Sequence, residues 1–286
     1  MASLKEVKTR ISSVVSTQQI TKAMKMVAAA KMRKSQERII QMRPFAQKMT
    51  AVMQNLSQGN DDADNWYSKV RPEEKILIVA ITSDRGLCGS FNSTIYKTVL
   101  NLIQDKYANK QVKVLPLGKK VFEFFTKRQF PVVGNFVNIF HTLSFDKVSE
   151  IGQHLMDTFS KGDYDKIEIV YNQFKNVATQ ILITEQFLPV LPIAVKAQDI
   201  DYIFQPAREE IMTGLIPKAL KTQLYKAVLD SNAAENGARV TAMDKATENA
   251  GDLLKDLRLM YNRTRQAAIT KEILEIVAGA EALKAV

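Results

Sequence analysis

Cys88, His141 and His154 are the only thiol and imidazoles in the chain, and a thiol beside an imidazole is the smallest set that supports nucleophilic catalysis. No local motif of a cysteine enzyme surrounds them, so no catalytic residue is assigned. No Cys, His and Asp spacing suits a metal, and neither metal nor cofactor is expected. Acids do pair closely in the last third, Glu209 with Glu210 and Asp252 with Asp256, but amid Lys and Arg on helix surfaces. Solvated i,i+4 partners explain them better than acid–base work. "SDRGLCGSFN" (83–92) sits after a strand-like run and before a helical one, where a phosphate loop would sit. It has neither the G-x-G-x-x-G spacing nor a G-K-[ST] end. It is therefore expected to be a tight strand-to-helix turn in which Gly86 and Gly89 supply backbone freedom, and the chain is expected not to bind ATP or NAD.

The remaining chemistry is electrostatic. "TQQITKAMKMVAAAKMRKSQ" (17–36) holds five Lys or Arg and three Met, with no acid, Gly or Pro. Residues 1–58 carry eleven Lys/Arg against two acids, while 59–207 carry seventeen of each and 208–286 twelve against eleven. Nearly all of the net +10 thus lies on the first segment. A solvated face normally carries both signs. A nucleic-acid reader would interleave aromatic base-stackers, and 7–36 has none. A helix that meets an acidic protein surface, with Met as adaptable packing, fits better. The runner-up is a basic coiled coil that binds nucleic acid or a membrane surface.

The elements that position these residues fall into three segments. Residues 1–58 form one long helix: Leu4, Val7, Ile11 and Val14 follow a coiled-coil seam, and the apolar stripe then slips phase through Ile20, Met24, Val27 and Ala28. Pro44 is expected to end or kink it. Residues 208–286 form a second long helix, proline-free after Pro217 and rich in Ala, and small residues let helix axes approach closely. At 1.5 Å per residue these helices span about 80 and 110 Å, more than a compact domain holds. Residues 59–207 form an α/β domain: strands at 75–83, 111–118, 166–174 and 180–190, an extended stretch at 130–140, and helices near 93–107, 119–127 and 144–160. The fold class is thus α/β, a small Rossmann-like α/β domain inserted between two long terminal helices that form an antiparallel coiled coil. Residues near 4–14 are expected against residues near 265–280. No run of 18 apolar residues marks a transmembrane helix, and the lone Cys88 fits a reducing compartment. The basic, acid-poor start also resembles a transit peptide, but the helical pattern continues past it without a cleavage-like break.

Three stretches carry a resemblance: "QQITKAMKMVAAAKMRKSQ", "SDRGLCGSFN" and "ENGARVTAMDKATENAGDLLKDLRLMYNRTRQAAITKEILEIVAGAEAL". In this order and spacing the chain resembles, from end to end, the gamma subunits of F-type ATP synthases of the bacterial type. The resemblance implies a rotating central stalk without a catalytic group. It implies partners in the alpha and beta subunits of the catalytic hexamer, the epsilon subunit and the c-ring, and no nucleic acid. It also implies a peripheral place at the cytoplasmic face of a bacterial inner membrane. Carried onto this sequence, the contacts with the acidic lever of beta fall on Lys22, Met24, Lys25, Lys31, Arg33 and Lys34. Arg239, Arg265, Gln266 and Thr270 fall on positions that contact the catch loops of beta or couple with Met24. One departure is Lys25, where members of the family often carry Glu.

Overall fold

The computed structural model describes residues 3–56, 67–134, 136–190 and 208–284. The chain divides into two compact units, one of Met1–Val27 with Val240–Val286, the other of Ala28–Arg239. Helix α1 (Leu4–Leu56) and helix α5 (Arg208–Lys284) each contribute to both.

The larger unit is built on a sheet. Strand β1 (Lys75–Ile81) is an unbroken β-branched and aliphatic run, and every residue after Lys75 is buried. Such a strand suits the middle of a sheet covered on both faces. It pairs in parallel with β2 (Gln111–Leu117) on one side and β3 (Lys166–Phe174) on the other. Strand β4 (Gln180–Leu188) closes the sheet antiparallel to β3, giving the order β2-β1-β3-β4. Alternate residues of β1 then feed two cores. Ile76, Ile78 and Ala80 pack with residues of α2 (Phe91–Asn101) and α3 (Lys119–Lys127). Leu77, Val79 and Ile81 pack with α4 (Phe145–Ser160) and with Ile216, Leu220 and Leu224 of α5.

Three sequence expectations change in detail. The extended stretch at 130–140 is not a full strand; it adds two isolated parallel bridges to β2, Val114 with Val132 and Leu117 with Phe136. The helix expected at 93–107 is α2 followed by a π-helical turn over Leu102–Lys106. Such offsets rotate the side chains that follow, and here the Lys106 ammonium lies 2.6 Å from the buried Glu168 carboxylate. Pro44 does not end α1, which continues to Leu56. A proline removes one intrahelical bond, and good helix formers follow it.

In the smaller unit the two helix segments run antiparallel. Thr21 Oγ1 lies 2.8 Å from Thr247 Oγ1, and the Lys25 ammonium donates to Asp244 at 2.5 Å. As one number rises the other falls, so residue numbers at facing positions sum to about 268. Continued to the start of α1, that register places Val7, buried to 1% exposure, opposite Leu257–Tyr261. The expected pairing of 4–14 with 265–280 is therefore too far along α5: facing positions are 254–264, and Ile273 is 54% exposed. Cysteines at Val7 and Tyr261 should crosslink under mild oxidation, whereas cysteines at Val7 and Ile273 should not. A crosslink with the second pair alone would refute this register.

Candidate functional site

The smaller unit presents Lys22 exposed and Met24 and Lys25 half-buried. Thr21 points inward, where its hydroxyl meets that of Thr247, and the Gln18 side chain donates to Thr247 O. The polar positions that interrupt the apolar seam are thus the ones that fix the register. Apolar residues of the same turns face outward instead: Ile20, Met26 and Val27 are all more than half exposed. Lys25 is not an unpartnered charge, since Asp244 holds it. Both side chains remain open to solvent, Asp244 the more so, and exposed pairs are worth only ~0–1 kcal/mol. Further along α5, Arg265, Gln266 and Thr270 are exposed, and the Thr270 hydroxyl donates to Gln266 O. They lie among exposed apolar residues, Ile269, Ile273, Leu274 and Ile276. Such a patch on a helix marks an interaction surface.

In the larger unit, Lys31, Arg33 and Lys34 are exposed. Arg33 pairs with Glu37 one turn on, at 3.4 Å. Lys31 and Lys34 line a cavity of about 420 Å³, together with Arg38, Arg85, His141 and Arg239. Arg239 is committed within the fold. One guanidinium nitrogen lies 2.6 Å from Glu235, with both side chains largely buried. The other donates to Arg85 O and Gly86 O at 3.3 Å. Burial pushes the Glu235 carboxyl up, against the opposing pull of Arg239.

The turn "SDRGLCGSFN" satisfies itself internally. Ser83 N–H donates to Asn92 Oδ1 and Ser83 Oγ–H to Arg85 O, while the Asn92 amide donates to Ser83 Oγ and Cys88 Sγ. Asp84 accepts from Lys119 N–H and Thr82 Oγ1 from Val121 N–H, which caps the start of α3 and satisfies amides that a helix leaves unpaired. Burial raises the Asp84 carboxyl despite that bond. Gly89 does take a positive φ of 59°, but its partner in strain is Leu87 at 63°, and Gly86 has open space around its Cα. The glycine with least freedom is Gly118, before α3, where a Cβ would meet Thr82 O at 2.2 Å.

Cys88 is buried, and burial pushes its thiol up, which disfavours a nucleophilic thiolate. Its polar neighbours are Ser83, Arg85 O and Asn92, whereas His141 faces Asp84 and His154 faces the Phe136 ring. The thiol and imidazoles are not brought together. Asp252 pairs with Lys255 at 2.8 Å on an exposed helix face. No group of three potential metal ligands converges among the described residues, and no described helix is long and apolar enough to cross a membrane. Glu235, Asp244, Arg38 and Arg85 escaped the sequence reading. For Glu235 the signal was present: an acid four residues before an arginine, in a run of small residues.

Comparison with known proteins is unambiguous. The ATP synthase family model matches residues 3–283. The ATP synthase gamma chain of Flavobacterium psychrophilum is 56% identical over 287 residues, covering 99% of this chain and 100% of that one. That of Cytophaga hutchinsonii is 53% identical over 293 residues, covering 99% of each. Among solved structures, the central stalk and c-ring of Tetrahymena thermophila mitochondrial ATP synthase contains a chain similar to this one. The identity is 30% with a TM-score of 0.58, over 79% of this chain and 99% of that one. A Euglena gracilis mitochondrial ATP synthase chain shares the fold, with a TM-score of 0.68 at 20% identity, over 99% of this chain and 95% of that one.

Proposed function

The chain belongs to the gamma-chain family of ATP synthases, and from that membership we infer that it is the rotary subunit of the central stalk. It transmits torque between a proton-driven c-ring and a catalytic hexamer of alpha and beta subunits, and holds no catalytic group of its own. The observation that carries this reading is identity above one half with gamma chains over essentially the whole length. Alpha, beta, epsilon and the c-ring are its partners, and its place is peripheral, at the cytoplasmic face of a bacterial inner membrane.

The surfaces suit a rotating contact. Lys22, Met24, Lys25, Lys31, Arg33 and Lys34 meet the acidic levers of beta, while Arg239, Arg265, Gln266 and Thr270 belong to the zone that meets its catch loops. Exposed ion pairs of ~0–1 kcal/mol each attract a passing acidic lever without locking it. The exposed apolar residues around Thr270 supply non-directional contact, which has no preferred angle. A shaft that turns needs both properties. Arg239 acts through the fold, because Glu235 and the 85–86 carbonyls already occupy its guanidinium.

Tagged chain expressed with the other subunits of its complex should copurify with alpha and beta in a stoichiometric, ATP-hydrolysing assembly. A tagged chain that leaves alpha and beta behind and retains nucleic acid or lipid vesicles would favour the basic coiled-coil reading instead.

A further inference from the structure

We propose that the hairpin of β3 and β4 is the tooth through which the α/β domain turns with the two long helices, and that Phe174 is the positioning residue that seats it. The torque role rests on the reading that the chain is a rotor; the seat itself stands on packing alone. Phe174 ends β3 and is packed against two apolar clusters at once. One covers the α2 and α3 face of the sheet and includes Ala234 of α5. The other consists of Ile39, Leu229 and Ala233 and so joins α1 to α5.

Gly237 makes the seat. A Cβ there would meet the Phe174 ring at 3.2 Å, Met32 Sδ at 3.6 Å and Val177 O at 3.6 Å. One long helix, its partner helix and the hairpin tip thus close on the place of a single missing side chain. A glycine inside a helix weakens it relative to alanine, and this close approach is what Gly237 provides in return. The two helices are pinned to each other beside the seat, where Ser35 Oγ–H donates to Asn232 Oδ1 at 2.7 Å.

The tip is stiff by its own chemistry. Asn176 Oδ1 accepts from the N–H groups of Ala178 and Thr179 at 3.1 and 2.6 Å, and Asn176 N–H donates to Thr179 O at 3.2 Å. An asparagine bonded to the backbone ahead of it locks such a turn. The Gln180 amide adds a bond to Val177 O at 3.1 Å.

Twist on a helix pair passes to an attached domain through contacts that resist sideways displacement. A contact with one helix alone lets that helix bend, whereas this hairpin bears on both. Close-packed side chains have low compressibility, so the seat passes load with little give. Arg239 holds the same domain at the carbonyls of 85 and 86, but through hydrogen bonds of 3.3 Å, longer than the usual range. The stiff contact is the packed one.

Two measurements test this. Hydrogen exchange of the full chain reads the seat: amides of 174–181 should exchange about tenfold faster in Phe174→Ala and in Gly237→Leu, while those of α3 keep their rate. Unchanged exchange at 174–181, or an equal acceleration in α3, would overturn the seat. Rotation of the chain assembled with alpha and beta subunits reads the torque role, from a bead on Lys110→Cys, an exposed site in the α/β domain. The angular variance of the bead during pauses between ATP-driven steps should grow about twofold in Phe174→Ala, because the packed contact is lost. It should stay near wild type in Phe174→Leu, which keeps an apolar wedge, and in Phe124→Ala, which truncates a ring stacked on Tyr96 elsewhere in the domain. Unchanged variance in Phe174→Ala, or equal widening in Phe124→Ala, would overturn the torque role. Beads that never turn in any variant would overturn the rotor reading and the torque role with it, while the exchange result still decides whether Phe174 is seated.

Discussion

Met24→Lys lowers the protons pumped per ATP hydrolysed while the complex still assembles. Met24 is half-buried beside Lys25 in the chain, and Asp244, an acid across the helix pair, is already held by Lys25. A new ammonium there adds charge that the chain itself does not neutralise. Under the proposed function, the acidic lever of beta offers the counter-charge inside the hexamer. A partly dehydrated pair of this kind is worth roughly 1–3 kcal/mol, beyond the exposed value. That grip applies only at rotary positions where a lever meets this face, so it deepens some steps relative to others and raises the barrier between them. A methionine gives contact without such a preference. Met24→Gln, similar in length and uncharged, should leave coupling near wild type, which separates charge from shape. The measurement is ATP-driven proton uptake by membrane vesicles against ATP hydrolysed. Unchanged coupling in Met24→Lys would reduce the positive helix to a solvated rod.

The second large effect is on stability. Arg239→Ala removes the guanidinium that neutralises Glu235 and satisfies two loop carbonyls, with the ion pair at 2.6 Å and both side chains mostly buried. Breaking a buried pair from one side costs about 3–5 kcal/mol, because the remaining charge stays desolvated and unpaired. Replacing both by apolar residues, Glu235→Leu with Arg239→Met, should recover much of that loss, leaving chiefly the two carbonyls to solvent. The pH dependence has a defined sign. Burial holds the Glu235 carboxyl above its ordinary range, so the folded chain keeps this proton where the unfolded chain has lost it. That contribution is fully present below the unfolded pKa and vanishes as pH rises through the folded one. Without Arg239 the carboxyl rises further, so the deficit of Arg239→Ala should shrink on acidification from about pH 7 to pH 5. Urea unfolding of the full chain at both pH values measures it. A loss in Arg239→Ala below about 1 kcal/mol, the range of an exposed pair, would mean the clamp is only a surface pair.

Much of this architecture was legible in the sequence, for a physical reason. Long uninterrupted helical propensity and a β-branched run such as Lys75–Ile81 are local signals, and the helix expected at 119–127 appears as Lys119–Lys127. What depends on the meeting of distant residues was not legible. The partner of Lys25 lies 219 positions away, and no periodicity in either helix sets that register; Thr21 and Thr247 do. Setting both chain ends at one tip placed 4–14 against residues too far along α5, which runs on past the start of α1 in the register of Thr21 with Thr247. In the turn, Gly86 drew notice as a glycine, yet Leu87 takes the left-handed conformation, held there by hydrogen bonds among Ser83, Arg85 and Asn92 that no spacing rule encodes. Arg239 was legible as part of a motif, but its grip on the carbonyls of 85 and 86 was not.

The central claim is that this chain turns. Lys110 is exposed, just before β2, so a Lys110→Cys variant accepts a bead through a biotin linker while buried Cys88 stays unlabelled. The variant is assembled with alpha and beta subunits immobilised on a surface, and the bead is followed by microscopy as ATP is added. The account predicts unidirectional, stepwise rotation that stops when ATP is exhausted. Beads that stay fixed in complexes still hydrolysing ATP would contradict it.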